Sequence, residues 1–316
     1  MYIRYFVLLF FCCIASAGCH HDDNFVMHHV LDDYSWQIFT TPAINATIYL
    51  PVIILSKRGV TVFSSRHLNY DTPYKGFILN HSGHLECVDK SIWFINLSVT
   101  KNVLAIAISL LLLLGILLYC SIWYKKHIDD VPSGIVGVVE IFILYIVDNV
   151  IKPNIGDRYN TFTPYLLTVF FYIWLNNILG LLPGWANVTG DITVTACLAL
   201  ITFIVTNFNA SKHYWMEILF PDVPKFLYPI MIPIECIGVI TKPMTLMIRL
   251  FANITSGHII LLSIINLAFI FHSYTFGIIG MLINSFMIIL KLLVAFLQAY
   301  IFTLLSSIYI GSAIKK

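Results

Sequence analysis

From about residue 100 onward the chain is organised as long apolar runs separated by short polar breaks. Val103–Trp123 is an uncharged stretch, long enough as a helix to cross ~30 Å of hydrocarbon at ~1.5 Å per residue. Residues 134–151 are also apolar, but Glu140 and Asp148 interrupt them on one helical face. That spacing predicts an amphipathic helix at the membrane edge rather than a span. Phe162–Leu182 and Ile192–Phe208 read as two further spans, joined through Pro183-Gly184-Trp185-Ala186-Asn187. The last third carries two much longer runs, Tyr228 to Phe271 and Phe276 to Ile314. As helices they would measure ~66 Å and ~58 Å, about twice the hydrocarbon thickness. Either each run hides two spans or each is one helix tilted far from the membrane normal. The only strong polar break is His272-Ser273-Tyr274. Two long, strongly tilted helices are the expectation, which rests in part on the resemblance given below.

The first hundred residues follow another pattern. Arg4, the apolar run Tyr5–Ile14 and the small residues Ala15-Ser16-Ala17 read as a signal peptide over residues 1–17. Ser16-Ala17-Gly18-Cys19 resembles a lipobox without its usual leucine; lipidation at Cys19 and an uncleaved anchor therefore stand beside simple cleavage. Residues 18–101 read as a small, partly β exported region, with strands expected at Ile48–Ile54, Val60–Phe63 and Ile92–Leu97. Turn signals fall at Lys57-Arg58-Gly59 and His81-Ser82-Gly83. The pairs His20-His21 and His28-His29 have no carboxylate or cysteine at ligand spacing, so a metal is not expected. Asn45 and Asn96 begin glycosylation tripeptides of a kind that also arises by chance.

Composition turns these patterns into a class. Hydrophobic residues make up 59% of the 316, and only 11% are charged, against about 25% in soluble domains. Eighteen basic and 16 acidic residues cannot coat a soluble globule of 36.0 kDa. The fold class is therefore an all-α polytopic membrane protein, with about five transmembrane helices, one amphipathic helix and the exported N-terminal region. Lys125-Lys126 after the first span marks the cytoplasmic side, and the basic residues flanking the later spans agree. The N-terminal region then lies outside and the C terminus in the cytoplasm. No basic stripe suits nucleic acid, and no Cys or His spacing suits zinc.

Within the last two runs only Glu235, Lys242, Arg249 and Lys291 carry formal charge, with His258 titratable. An ionisable group at the bilayer centre costs at least ~2.5–3.5 kcal/mol and is a functional candidate by default. Lys242 reads as a structural lysine whose stem reaches an interface. Arg249 has no acid within a helical turn, so its counter-charge must come from a distant segment or another chain. Asn253 shares its face at i,i+4. Glu235 lies ~21 Å toward the cytoplasmic end and His258 ~13.5 Å toward the outside. On the last helix Lys291 and Gln298 share a face. Antiparallel packing with Gln298 opposite Arg249 would bring Lys291 near the level of His258.

The stretch Thr241-Lys-Pro-Met-Thr-Leu-Met-Ile-Arg-Leu-Phe-Ala-Asn253, continuing through Gly257-His258, resembles the signature of subunit a of the F-type ATP synthase membrane sector. Leu297-Gln-Ala-Tyr-Ile-Phe302 and Tyr309 resemble its last helix. Leu181-Leu-Pro183 and Asp191-Ile-Thr-Val-Thr195 resemble its middle hairpin. The likeness covers residues 102–314 or so, within a membrane domain taken as 102–316.

What the resemblance implies is a stator that offers protons two offset half-channels beside a rotating c-subunit ring. Its other expected partners are the b-subunit peripheral stalk, the remaining ATP synthase subunits and the lipid bilayer. Arg249 matches the arginine that faces each ring carboxylate, and Asn253 and Gln298 match its polar neighbours. Glu235 matches an acid on the cytoplasmic exit path, and His258 a position that is His or Glu in the family. Lys291 departs from the family, which commonly has Glu or His there; it is expected to be neutral for part of the cycle or to pair with Asp191. The aspartate often found in the hairpin is Gly180 here. No cofactor and no catalytic site are expected on this chain. The competing reading is a secondary transporter or ion channel with an intramembrane arginine site, which predicts inverted repeats that the sequence lacks. A plain membrane anchor would leave Arg249 and Lys291 without a reason.

Overall fold

In a computed structural model the described residues are 34–41, 44–56, 59–67, 73–74, 76–79, 85–87, 94–127, 130–182, 185–186, 188–219, 228–270 and 274–314. The signal peptide, Cys19, the paired histidines and the His272-Ser273 break lie outside them. The chain divides into two compact units: Met1–Ile108, Leu179–Val188 and His258–Met287 form one, and Ser109–Ile178, Thr189–Gly257 and Ile288–Lys316 the other.

The first unit holds the strands. β1 (Ser35–Thr41) pairs antiparallel with β2 (Ile44–Tyr49). β3 (Pro51–Ser56) lies between β4 (Gly59–Ser64) and β7 (Phe94–Asn96), and β5 (Phe77–Leu79) pairs with β6 (Leu85–Cys87). The strand expected over Ile48–Ile54 is in fact two. Leu50 is buried and hydrogen-bonds Tyr34 and Ser65, and Pro51 has no N–H, so the chain changes sheets there. Gly59, at φ 111°, makes the β3–β4 turn in a conformation that side chains resist. Val52, Ile54 and Phe63 pack inward with Tyr34, Phe77 and Leu85. Asn96 spends its amide on Tyr34, donating to the hydroxyl at 2.7 Å.

The helices follow the apolar runs closely. α1 (Lys101–Lys126) takes the first run and ends on its two lysines. α2 (Ile135–Ile146) passes into a π turn at Val147–Ile151 and a last α turn at Lys152–Ile155. Val136, Val139 and Ile146 are buried, while the equally apolar Ile135, Val138 and Ile141 are exposed. The π turn carries Asp148 outward to Lys152, whose ammonium donates to Asp148 at 2.5 Å. That neighbour holds the Lys152 pKa above its ordinary value. α3 (Tyr159–Leu179) and α4 (Ile192–Phe208) match the two middle runs, and a short helix α5 (Lys212–Leu219) follows.

The two final runs are single helices: α6 (Tyr228–Ile270) of 43 residues and α7 (Tyr274–Ile314) of 41. Pro233 and Pro243 lie inside α6 without ending it. Among the described residues, α1 and long segments of α6 and α7 are extended and apolar enough to cross a membrane. α4 is apolar but has 17 residues, so it reaches ~26 Å. α3 dilutes its apolar run with Asn160, Thr161, Asn176 and Asn177.

The second unit is built on aromatic and aliphatic packing. Phe142 of α2, Trp174 of α3 and Phe296 of α7 gather with ring centroids 4.7, 5.7 and 6.1 Å apart. Leu246 and Leu250 of α6 join Phe302 and Ile310 of α7 in the same core. Beside it, the π turn docks on α7: Asn154 donates to the Val150 carbonyl at 2.7 Å and to the Ser307 hydroxyl at 3.1 Å. Gly311 completes this seam, because a Cβ there would overlap the Asn154 carbonyl oxygen.

Candidate functional site

α6 is rigid enough to set its charges by helical phase alone. Glu235, Lys242 and Arg249 recur every seven residues, each step ~10.5 Å along the axis and ~20° around it. Glu235 is half-buried and Arg249 exposed. Among the described residues no acid pairs with the Arg249 guanidinium. Thr245, Ala252, Asn253 and Ser256 are exposed around it, side chains small enough to admit a neighbouring helix closely.

Leu246 and Leu250 on the other face of α6 are buried at 2% and 0% exposure, which fixes the rotation that turns Arg249 outward. Asn253 Nδ2 donates to Gln298 Oε1 at 2.7 Å, joining α6 to α7. The bond ties Gln298 to the residue one turn beyond Arg249, and the Lys291 stem lies against Gly257, next to His258 in the chain. Replacing Asn253 with Leu should leave the buried Gln298 oxygen unpaired and cost about 0.6–2 kcal/mol. Thermal unfolding of the detergent-purified chain, compared with wild type, measures this.

Lys291 is half-buried, and its Cε would lie 3.2 Å from a Cβ placed on Gly257. A methyl group at position 257 would crowd the lysine stem, which would have to give by a few tenths of an ångström. No described acid pairs with Lys291. Asp191 serves as the N-cap of α4, accepting from the Thr193 N–H at 2.9 Å. His258 is helical, and its side chain lies outside the described residues.

The sequence reading gave Lys242 a structural role but not its setting. Its ammonium lies 5.5 Å from the Tyr214 ring and 5.6 Å from the Tyr309 ring, within cation–π range. Beside it is a cavity of about 20 Å³, lined in part by Thr202, Thr206 and Asn207. That is room for one water. The Asn207 side-chain oxygen Oδ1 is buried and has no hydrogen-bond partner among the described residues. α3 adds a second buried polar set: Asn177 donates to the Ala295 carbonyl at 3.2 Å and accepts from Thr189 at 2.9 Å. Paired asparagines inside an apolar run were the available signal for it.

The family model described as ATP synthase A chain matches residues 103–311, the stretch that holds every one of these groups. The chain belongs to this family. A second model, described as Domain of unknown function (DUF8433), matches residues 25–96. The chain is 42% identical over 239 residues to "ATP synthase subunit a 2" of Chlorobaculum tepidum, covering 74% of this chain and 66% of that protein. It is 40% identical over 224 residues to "ATP synthase subunit a" of Chloroherpeton thalassium, covering 69% and 67%. Similarity to "ATP synthase subunit a" of Anaeromyxobacter dehalogenans is 37% over 230 residues, covering 70% and 59%. The matched stretch thus spans about two thirds, or somewhat less, of these relatives' own length. As an ATP synthase A chain member the protein has its family stretch beginning at α1, with the strands of the first unit preceding it.

Proposed function

We propose that this chain is the proton-translocating stator subunit of an F-type ATP synthase membrane sector. It offers two offset half-channels to a c-subunit ring and couples proton flow to rotation, with ATP chemistry left to other subunits. The observation that carries the reading is Arg249: a permanent cation, exposed in the middle of an apolar helix, with no acid paired to it among the described residues. Facing lipid, such a group is costly; facing a ring carboxylate, it is compensated. Asn253 and Gln298 hold the two helices together beside it. Glu235 serves the cytoplasmic exit, and His258, Lys291 and Asp191 serve the outer inlet. Lys291 relays by giving up its proton for part of the cycle. The seven-residue steps of α6 keep exit and inlet groups apart, with Arg249 as the barrier between them.

The same reading places the protein in a bacterial inner membrane, multi-pass, after loss of a signal peptide at 1–17. Residues 18–101 are exported, residues 102–316 form the membrane domain, and the C terminus is cytoplasmic. Its partners are the c-ring, the b-subunit stalk and the other subunits of the synthase.

Membrane vesicles stripped of the soluble ATPase head test this directly. Vesicles containing the chain should dissipate an imposed proton gradient, and a carbodiimide that caps the ring carboxylate should stop the leak. Vesicles from cells lacking the chain should hold the gradient without the carbodiimide. Equal leakage with and without the chain would overturn the proposal.

A further inference from the structure

The three-stranded sheet of the first unit is apolar on both faces. Its inner face carries Val52, Ile54 and Phe63 into the core. An antiparallel sheet of this kind ordinarily alternates to polar residues on its outer face. Here the register instead aligns two outward rows of aliphatic side chains. Val60, Leu55 and Ile95 form one row by direct pairing. Val62 and Ile53 pair in the next, and the Leu97 N–H donates to the Ile53 carbonyl at 2.9 Å, which brings Leu97 into line. Val60 is 63% exposed, Leu97 58% and Val62 55%. Leu55 and Ile95 are exposed too, and no charge stands within either row. An unbroken aliphatic array of this kind marks a surface that is covered in use.

The chain itself indicates the cover. Pairing between β3 and the strand after β7 continues to Val99, whose N–H donates to the Pro51 carbonyl at 3.2 Å. α1 starts two residues later, at Lys101, and exposes Val103 in its first turn. The Leu97 row therefore lies four residues from a membrane-spanning helix, within ~14 Å even if that connection is fully extended. Tethering at this range keeps the local concentration of bilayer high.

We infer that the outward face of β4, β3 and β7 rests on the bilayer leaflet in which α1 begins, with its aliphatic side chains among the lipids. The ligand is lipid, and the sheet acts as a second, monotopic anchor beside the helix. This depends on α1 crossing the membrane and not on the proton-channel assignment.

The test places a diazirine-bearing amino acid, one site at a time, at positions 60, 62 and 97 of the full chain in its native membrane. Position 86, exposed on β6 in the strand whose Leu85 packs on the inner side of the sheet, is the control. After irradiation, peptide mass spectrometry reads what each site captured. Lipid adducts at position 60 at least five times more abundant than at position 86 are the expected result. Capture of protein at position 60, whether another subunit or a second copy, overturns the inference. So does water insertion alone, or lipid capture confined to position 97, which would mean that the sheet stands away from the membrane. The three sites are exposed and their chains point away from the core; should one variant fail to accumulate, the others in the two rows give the same readout.

Discussion

Replacing Arg249 with Ala should reduce proton-driven ATP synthesis to below about 1% of wild type, with the level of the chain in the membrane unchanged. The magnitude follows from the charge. A guanidinium ~4 Å from a carboxylate, at an effective dielectric constant of ~20, stabilises the ionised acid by ~4 kcal/mol, about three pKa units. Without it a ring carboxylate passing this point keeps its proton about a thousandfold more often, and directed release fails. The chain level should hold because Arg249 is exposed and supports no described ion pair. Removing it relieves a cost of membrane insertion rather than a packing contact. Replacement with Lys should recover only part of the function, since an ammonium can be deprotonated when desolvated and a guanidinium cannot. The measurement is ATP synthesis by inverted vesicles under an imposed gradient, beside an immunoblot for the chain. Wild-type coupling in the Ala variant would remove the foundation of the proposed function.

The second large effect should be structural. Gly311→Ala places a methyl group against the backbone of Asn154, overlapping its carbonyl oxygen and lying 2.9 Å from its carbonyl carbon. A flexible side chain could move aside, but these are main-chain atoms held in a buried seam. Asn154 is fixed by its bonds to Val150 and Ser307, and Ile310 beside the glycine is fully buried. Overpacking at such a site costs about 1–3 kcal/mol or more. The variant should melt several degrees lower in detergent and accumulate less in membranes. Gly115→Ala, on α1 with nothing near its added carbon, should be indistinguishable from wild type. Equal melting of both variants would mean that the Asn154 seam is not closed as described.

The helices were legible to within a few residues because membrane spans are written redundantly. Each follows an apolar run, and some carry a further marker, as when Asp191 caps α4 and Lys125-Lys126 end α1. The lengths of α6 and α7 also suited two spans each, so their unity was read only with help from the family resemblance; Pro233 and Pro243 do not break α6. Less of the N-terminal region could be read. β5 and β6 went unrecognised, since strands of three residues leave almost no period-two signal, and the longer β1 was missed as well. The sheet change at Leu50 depends on partners far away in the chain.

At the site, the sequence marked the candidate groups but not the contacts they make. Helical phase put Asn253 beside Arg249 and Gln298 on the face of Lys291, because phase is a property of one helix. Which turn of α7 meets which turn of α6 depends on complementary shape, as at Gly257 under the Lys291 stem. The cation–π cradle of Lys242 and the π turn at Val147–Ile151 were missed for the same reason. Both arise from contacts between elements.

The connection from the sheet to α1 has a mechanical side. The segment that leads into the helix is bonded to β3 at Leu97 and Val99, and those bonds run across the strand axis. A pull on α1 along that axis therefore loads them together in shear instead of opening them one at a time like a zip. A helix moored in this way can bear strain without drawing its strand out of register.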